Sequence, residues 1–184
     1  MVDRAAVGKT GTMPSGRPLE HGLDDNNLPV GPPAWPVLAV TASARGGLLW
    51  GMVAGVLACR RGAWRRAAGH GVVSAAVGMA LGHGLKAIIR RRRPAARSLP
   101  ARRVVPVEPS SSAFPSSHAT TAAAFTVAVA LRAPTAGAVV APLAAVVCYG
   151  RVRTRVHWPT DVYGGVAVGA VVGYLTHRGL TGLF

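Results

Sequence analysis

Lys86, Arg93, the run Pro115-Ser116-Ser117-His118, and Arg151, His157 and Asp161 are the side chains that breaking a phosphate ester through a phosphorylated side chain requires. Lys86 and Arg93 are seven positions apart, two helical turns. That spacing predicts that both project from one helix face, with Pro94 ending the helix. A guanidinium offers planar bidentate hydrogen bonds to phosphate and an ammonium a compact charge, so the pair would neutralise a phosphate dianion from two sides. The adjoining Arg90, Arg91 and Arg92 read instead as a cationic cluster that stops a membrane helix.

The Pro-Ser-Ser-His run predicts a capping Ser before an apolar helix, whose free first-turn N–H groups form an anion site. Ser116 adds a hydroxyl. His118 is held where it could protonate a leaving alkoxide, a role worth about 10²- to 10⁴-fold. Taken alone, such a run is more often only a helix cap. Further on, Pro159 fits the first position of a new helix and Asp161 its first turn. Across a spacing of four, the Asp161 carboxylate can accept a hydrogen bond from one nitrogen of His157, fixing the tautomer that leaves the other nitrogen nucleophilic. An Asp at a helix start is also commonly simple dipole compensation. Arg151 would stabilise the equatorial oxygens as charge shifts in the transition state. His21, His70, His83 and His177 match no motif. His83, three residues before Lys86, could line the site but is expected to be structural or interfacial.

The elements that must position these groups are apolar. The chain has 184 residues, 50% hydrophobic and 5% aromatic, with a mean hydropathy of +0.33. Its net charge of +15 lies in short Arg-rich clusters between apolar runs rather than along one amphipathic face. Together with few aromatics for stacking, this disfavours nucleic acid and favours phosphate and anionic headgroups as partners. Cys59 and Cys148 sit inside apolar runs without metal-ligand spacing and read as small buried hydrophobes. Residues 1–35 read as a disordered polar tail without a secretory signal, and 36–184 as the functional domain.

From Pro36 onward, apolar runs near 37–59, 67–89, 117–132, 136–152 and 160–176 predict an all-α integral membrane bundle of about five transmembrane helices. Arg45 divides the first run into a short interfacial helix over 36–43 and a span from near Gly46. Glycines recur every fourth residue at Gly47, Gly51 and Gly55, at Gly78 and Gly82, and at Gly165, Gly169 and Gly173. Such faces let helices approach closely in lipid, and they could also serve homo-oligomerisation. The polar segment from Pro94 to Pro115 contains no span, and two runs separate His118 from His157. Parity therefore brings all three motif segments to one membrane surface.

In order, K-x6-R-P (Lys86 to Pro94), P-S-S-H (Pro115 to His118) and G-R-x5-H-x3-D (Gly150 to Asp161) resemble the three signature motifs of the type 2 phosphatidic acid phosphatase (PAP2) superfamily. The resemblance covers about Gly47 to Thr176. It implies a helical bundle in which His157 attacks phosphorus, Asp161 orients it and His118 protonates the leaving group. Lys86, Arg93, Arg151, Ser116 and the backbone of Ser117 would hold the phosphate. No metal or other cofactor is implied. Ser117 stands where the family usually has Gly, and Gly150 where it usually has Ser, so Gly150 is left out of the site.

The expected activity is hydrolysis of a lipid phosphate such as phosphatidate, phosphatidylglycerophosphate or a polyprenyl phosphate, diphosphate or phosphosugar. The expected location is the cell membrane, with the site on the extracytoplasmic face. Alternatives are a vanadium-dependent haloperoxidase-like enzyme and a non-catalytic lipid-binding membrane protein.

Overall fold

The computed structural model describes residues 35–93 and 111–181, apart from the side chains of Leu38 and Arg45. The expected polar tail, apart from Trp35, lies outside the described residues. Six α-helices follow one another among the described residues: α1 (Trp35–Ser43), α2 (Leu48–Ala58), α3 (Ala63–Ile88), α4 (Ser117–Arg132), α5 (Pro134–Arg153) and α6 (Pro159–Thr181). Trp35, assigned to the tail by composition, begins α1 instead. The first apolar run divides as its sequence suggests. A 3₁₀ turn over Arg45–Gly47 separates α1 from α2, and Gly46 and Gly47 take positive φ values of 60° and 81° there.

Length and apolar composition mark α3 and α5 as helices able to cross a membrane, and α1 with α2 as a third span if the bent pair counts as one. This is fewer than the five spans expected. The five apolar runs are all helical, but α4 has only 16 residues, below the usual spanning length. It is instead the most enclosed helix, with Ala119, Ala122, Ala124, Phe125, Ala128 and Val129 buried. Many large apolar side chains face outward from its neighbours, among them Val72, Val77 and Leu81 of α3, Val139 of α5 and Val171 and Leu175 of α6. That is the inverse of a water-soluble surface and suits lipid.

The glycine faces explain how α4 is enclosed. A methyl group at Gly165 would lie 2.7 Å from the Ser116 carbonyl oxygen, and one at Gly173 2.6 Å from that of Ala124. At Gly169 it would collide with the Thr120 carbonyl. Gly78 and Gly82 of α3 lie against Ala124 and Ser117 from another side. Backbone-to-backbone approach thus clamps α4 between α3 and α6, where dispersion rather than water exclusion joins helices. The stripes of α3 and α6, expected to be open to a second copy, are therefore covered by α4, whereas Gly51 and Gly55 of α2 meet nothing within 4 Å. Beside them, Trp50 of α2 stacks on Phe125 with ring centroids 5.1 Å apart, in a core shared with Leu57, Val140 and Val147.

Candidate active site

Close packing of α4 fixes what its first turn meets. Lys86 lies in the last turn of α3, Ser117 and His118 in the first turn of α4, Arg151 in the last turn of α5 and His157 in the loop before α6. These residues and Arg93 line one cavity of about 240 Å³. The expected shared helix face for Lys86 and Arg93 does not exist, because α3 ends at Ile88 and Ile89 is already extended. Tertiary hydrogen bonds hold the exit segment in that conformation. The Arg91 N–H donates to Ser112 Oγ at 3.0 Å, the Ala113 N–H to the Arg91 carbonyl at 2.9 Å and Trp158 Nε1 to the Arg92 carbonyl at 3.2 Å.

Arg93 therefore reaches the cavity from a strap rather than a helix. It donates through Nη1 to the Val156 carbonyl at 2.7 Å, through Nε to the Ser111 carbonyl at 3.1 Å and through Nη2 to the Ser112 carbonyl at 3.2 Å. One guanidinium thereby ties together the exit from α3, the approach to α4 and the α5–α6 loop. Its Nη1 also lies 3.4 Å from His157 Nε2.

Two expected site residues, Ser116 and Asp161, do not line the cavity. Ser116 occupies the N-cap of α4, yet makes no side-chain cap hydrogen bond. Its Oγ is buried with no partner among the described residues, as is that of Ser117, which does line the cavity. The first turn of α4 consequently keeps its N–H groups uncapped by a side chain, aimed past the helix end. Asp161 is completely buried behind His157. Its Oδ2 accepts from the Trp158 N–H at 2.9 Å and its Oδ1 from Arg91 Nη1 at 2.8 Å. His157 Nδ1 lies 3.7 Å from Oδ2, ion-pair range but about half an ångström too far for a hydrogen bond. The expected His–Asp hydrogen bond is thus not formed here, although the pair is adjacent and correctly ordered.

Burial, 2% exposed, pushes the His157 imidazole down to about 4, and the neighbouring Arg93, Arg151 and Lys86 push the same way against the pull of Asp161. His157 is accordingly a neutral base at pH 7. Burial also lowers Arg93, with Asp161 opposing. Three cations converge on this cavity and no described group of three or more His, Cys, Asp or Glu side chains could hold a metal ion. The site is built for an anion.

Arg91 is the residue that sequence reasoning misplaced: its spacing matches a stop-transfer cluster, while its side chain pairs with a carboxylate 70 residues away. His83, expected to be structural or interfacial, lines the cavity together with Met79 and Thr121. The i, i+3 relation of His83 to Lys86 is the sequence signal that could have found it.

The fold and site define a helical membrane protein with a polycationic, histidine-bearing anion cavity at one end of its bundle. A family model described as the PAP2 superfamily matches residues 67–183, and the chain belongs to that superfamily. It is a phosphatase, a hydrolase of phosphoric esters. Comparison with curated proteins finds no significant match. Among solved structures, the fold is similar to that of a transmembrane PAP2 type phosphatidylglycerolphosphate phosphatase from Bacillus subtilis, with a TM-score of 0.61 and 21% identity over 83% of this chain and 79% of that one.

Proposed function

We propose that the chain hydrolyses the phosphate ester of a membrane lipid in two steps through a phosphohistidine. His157 Nε2 attacks phosphorus, the bond from phosphorus to the leaving oxygen breaks, and His118 gives that oxygen a proton. Water, deprotonated by His118, then attacks the phosphohistidine and releases inorganic phosphate. Nε2 is the nucleophilic atom because Nδ1 faces Asp161. Lys86, Arg93, Arg151, the Ser117 hydroxyl and the first-turn N–H groups of α4 hold the phosphoryl oxygens. Arg91 and the Trp158 N–H hold Asp161. Closing the 3.7 Å gap as a phosphoryl group adds to His157 would give the imidazolium its counter-ion.

The observation that carries this reading is the setting of His157: buried, neutral at pH 7, with a carboxylate beside one nitrogen and Arg93 beside the other. A lipid substrate follows from apolar helix surfaces around a polar cavity at the bundle end, where a headgroup can enter while its chains stay in the bilayer. Phosphatidate, phosphatidylglycerophosphate and polyprenyl phosphates or phosphosugars form the substrate panel. Phosphate release from detergent-solubilised protein in excess chelator tests the assignment. Inactivity across the panel, or full turnover by His157→Ala, would sink it.

For orientation, the site is assigned to the extracytoplasmic face of the cell membrane. Arg60, Arg61, Arg65, Arg66 and Arg178 are exposed at the opposite end of the bundle; at the site end Arg91, Arg93 and Arg151 are engaged in or around the cavity, and Arg90 and Arg92 are exposed. Among the described residues, exposed arginines are the more numerous at the opposite end, which favours it as the cytoplasmic one. Cysteine labelling from either side at Ala63 and Ser111 would reverse the assignment if Ser111→Cys reacted only from the cytoplasm.

A further inference from the structure

The cavity is larger than a phosphoryl group needs. Its volume is about 240 Å³, and its wall extends past the phosphate-gripping side chains. The cations and His157 account for one part of its wall. The wall also includes Ala44, Gly46 and Gly47 at the α1–α2 kink, Met79 and His83 on α3, and Thr121 on α4.

His83 gives that second part a definite chemistry. It lies one turn before Lys86 on the same face of α3 and is exposed to the cavity. Its Nδ1 is 2.7 Å from the Met79 carbonyl oxygen. A carbonyl only accepts, so Nδ1 carries a proton, which selects the tautomer with Nε2 as acceptor. An acceptor there matches a hydroxyl donor and mismatches another phosphate oxygen. Hydroxyls of Ser111, Ser117 and Thr121 line the same cavity, and His83 is its imidazole outside the phosphate-gripping motifs.

We infer that His83 is a specificity residue, accepting a hydrogen bond from a hydroxyl on the retained part of the substrate and thereby selecting phosphate lipids whose headgroup carries a polyol or sugar hydroxyl near the scissile ester. This rests on the site acting as a lipid-phosphate phosphatase. Binding energy placed on that hydroxyl is present in both ground and transition states, so it acts on KM more than on kcat.

The test uses the full chain in detergent and two matched substrates, a lipid phosphomonoester with a glycerol hydroxyl beside the ester and its deoxy analogue. One hydrogen bond predicts that wild type prefers the hydroxylated ester by about 3- to 10-fold in kcat/KM. His83→Phe should bring the ratio to about one, chiefly through KM, and His83→Gln, which restores an acceptor, should recover part of it. Equal use of both esters by wild type, or an unchanged ratio in His83→Phe, overturns the inference while leaving the phosphatase reading intact. A preference for an analogue with a second phosphate at that position overturns it too. Failure of wild type to release phosphate from either ester, or from the wider panel, contradicts the phosphatase reading and the role of His83 with it.

Discussion

Two histidine pairings near opposite ends of the bundle are built in opposite ways. Away from the cavity, His70 of α3 and His177 of α6 bring their Nδ1 atoms to 3.2 Å, and Ser74 and Thr176, on the same two helices, are hydrogen-bonded to each other. These polar groups satisfy one another and pin α3 to α6. At the cavity, His157 Nδ1 stands 3.7 Å from Asp161, and the buried hydroxyls of Ser116 and Ser117 have no partner among the described residues. A folded chain normally pairs its buried polar groups, so a cluster left unpaired marks where stability has yielded to ligand binding. The same residue types thus form a latch in one place and, on the proposed mechanism, a reaction site in the other.

The sharpest way to break this contrast is to remove one histidine from each pair. His157→Ala should lower turnover by about 10³-fold or more while leaving thermal unfolding in detergent nearly unchanged. His70→Ala should do the reverse, keeping turnover and costing about 1 kcal/mol of stability at most. If both substitutions cut activity equally, the contrast is wrong.

The next largest effect is expected on the clamp that aligns α4. A Gly169→Leu side chain would meet the Thr120 carbonyl and Ala123, push α4 from α6, and cost about 1–3 kcal/mol. Displacement of Ser117 and His118 should reduce turnover with it. Gly51→Leu on α2, where nothing lies within 4 Å, is the matched control and should be silent in both measurements.

Arg91→Gln tests whether Asp161 is held or free. Without its partner the buried carboxylate should cost about 1–3 kcal/mol, measured by thermal unfolding. Its undiluted charge should also favour protonated His157. In wild type, protonation of free His157 belongs near pH 4, so the nucleophile stays neutral and kcat/KM keeps this requirement satisfied until pH falls towards that value. In Arg91→Gln the acidic limb should move upward, towards the ordinary histidine value of about 6.5. Arg91→Lys should restore it. An acidic limb identical in wild type and Arg91→Gln would show that the Arg91–Asp161 pair does not govern His157.

Much of this was legible in the sequence because it depends on local pattern. Apolar runs bounded by Pro and Arg match α3 to α6 within a few residues, and the Arg45-Gly46-Gly47 break separates α1 from α2. Lys86, Arg93, Ser117, His118, Arg151 and His157 converge on one cavity as the motif order implied. What escaped was set by tertiary contact. Spacing put Arg93 on a helix, but hydrogen bonds from the α4 approach and the α5–α6 loop hold it on an extended strap. Arg91 is indistinguishable from Arg90 and Arg92 in sequence, and only the arrival of Asp161 separates it from them. The glycine stripes of α3 and α6 announced close helix contact without naming the partner, which is α4 of the same chain, while Gly51 and Gly55 of α2 meet nothing within 4 Å.

On the proposed mechanism the neutral, buried His157 carries the phosphoryl group between the two steps. Rapid acid-free quenching of wild type and His118→Ala during turnover of a labelled lipid phosphomonoester, followed by peptide mass spectrometry, measures it directly. The account predicts an acid-labile, base-stable phosphoryl group on His157, and none in His157→Ala. Turnover with the label on another residue, or with no protein-bound phosphate and undiminished rate in His157→Ala, would contradict it.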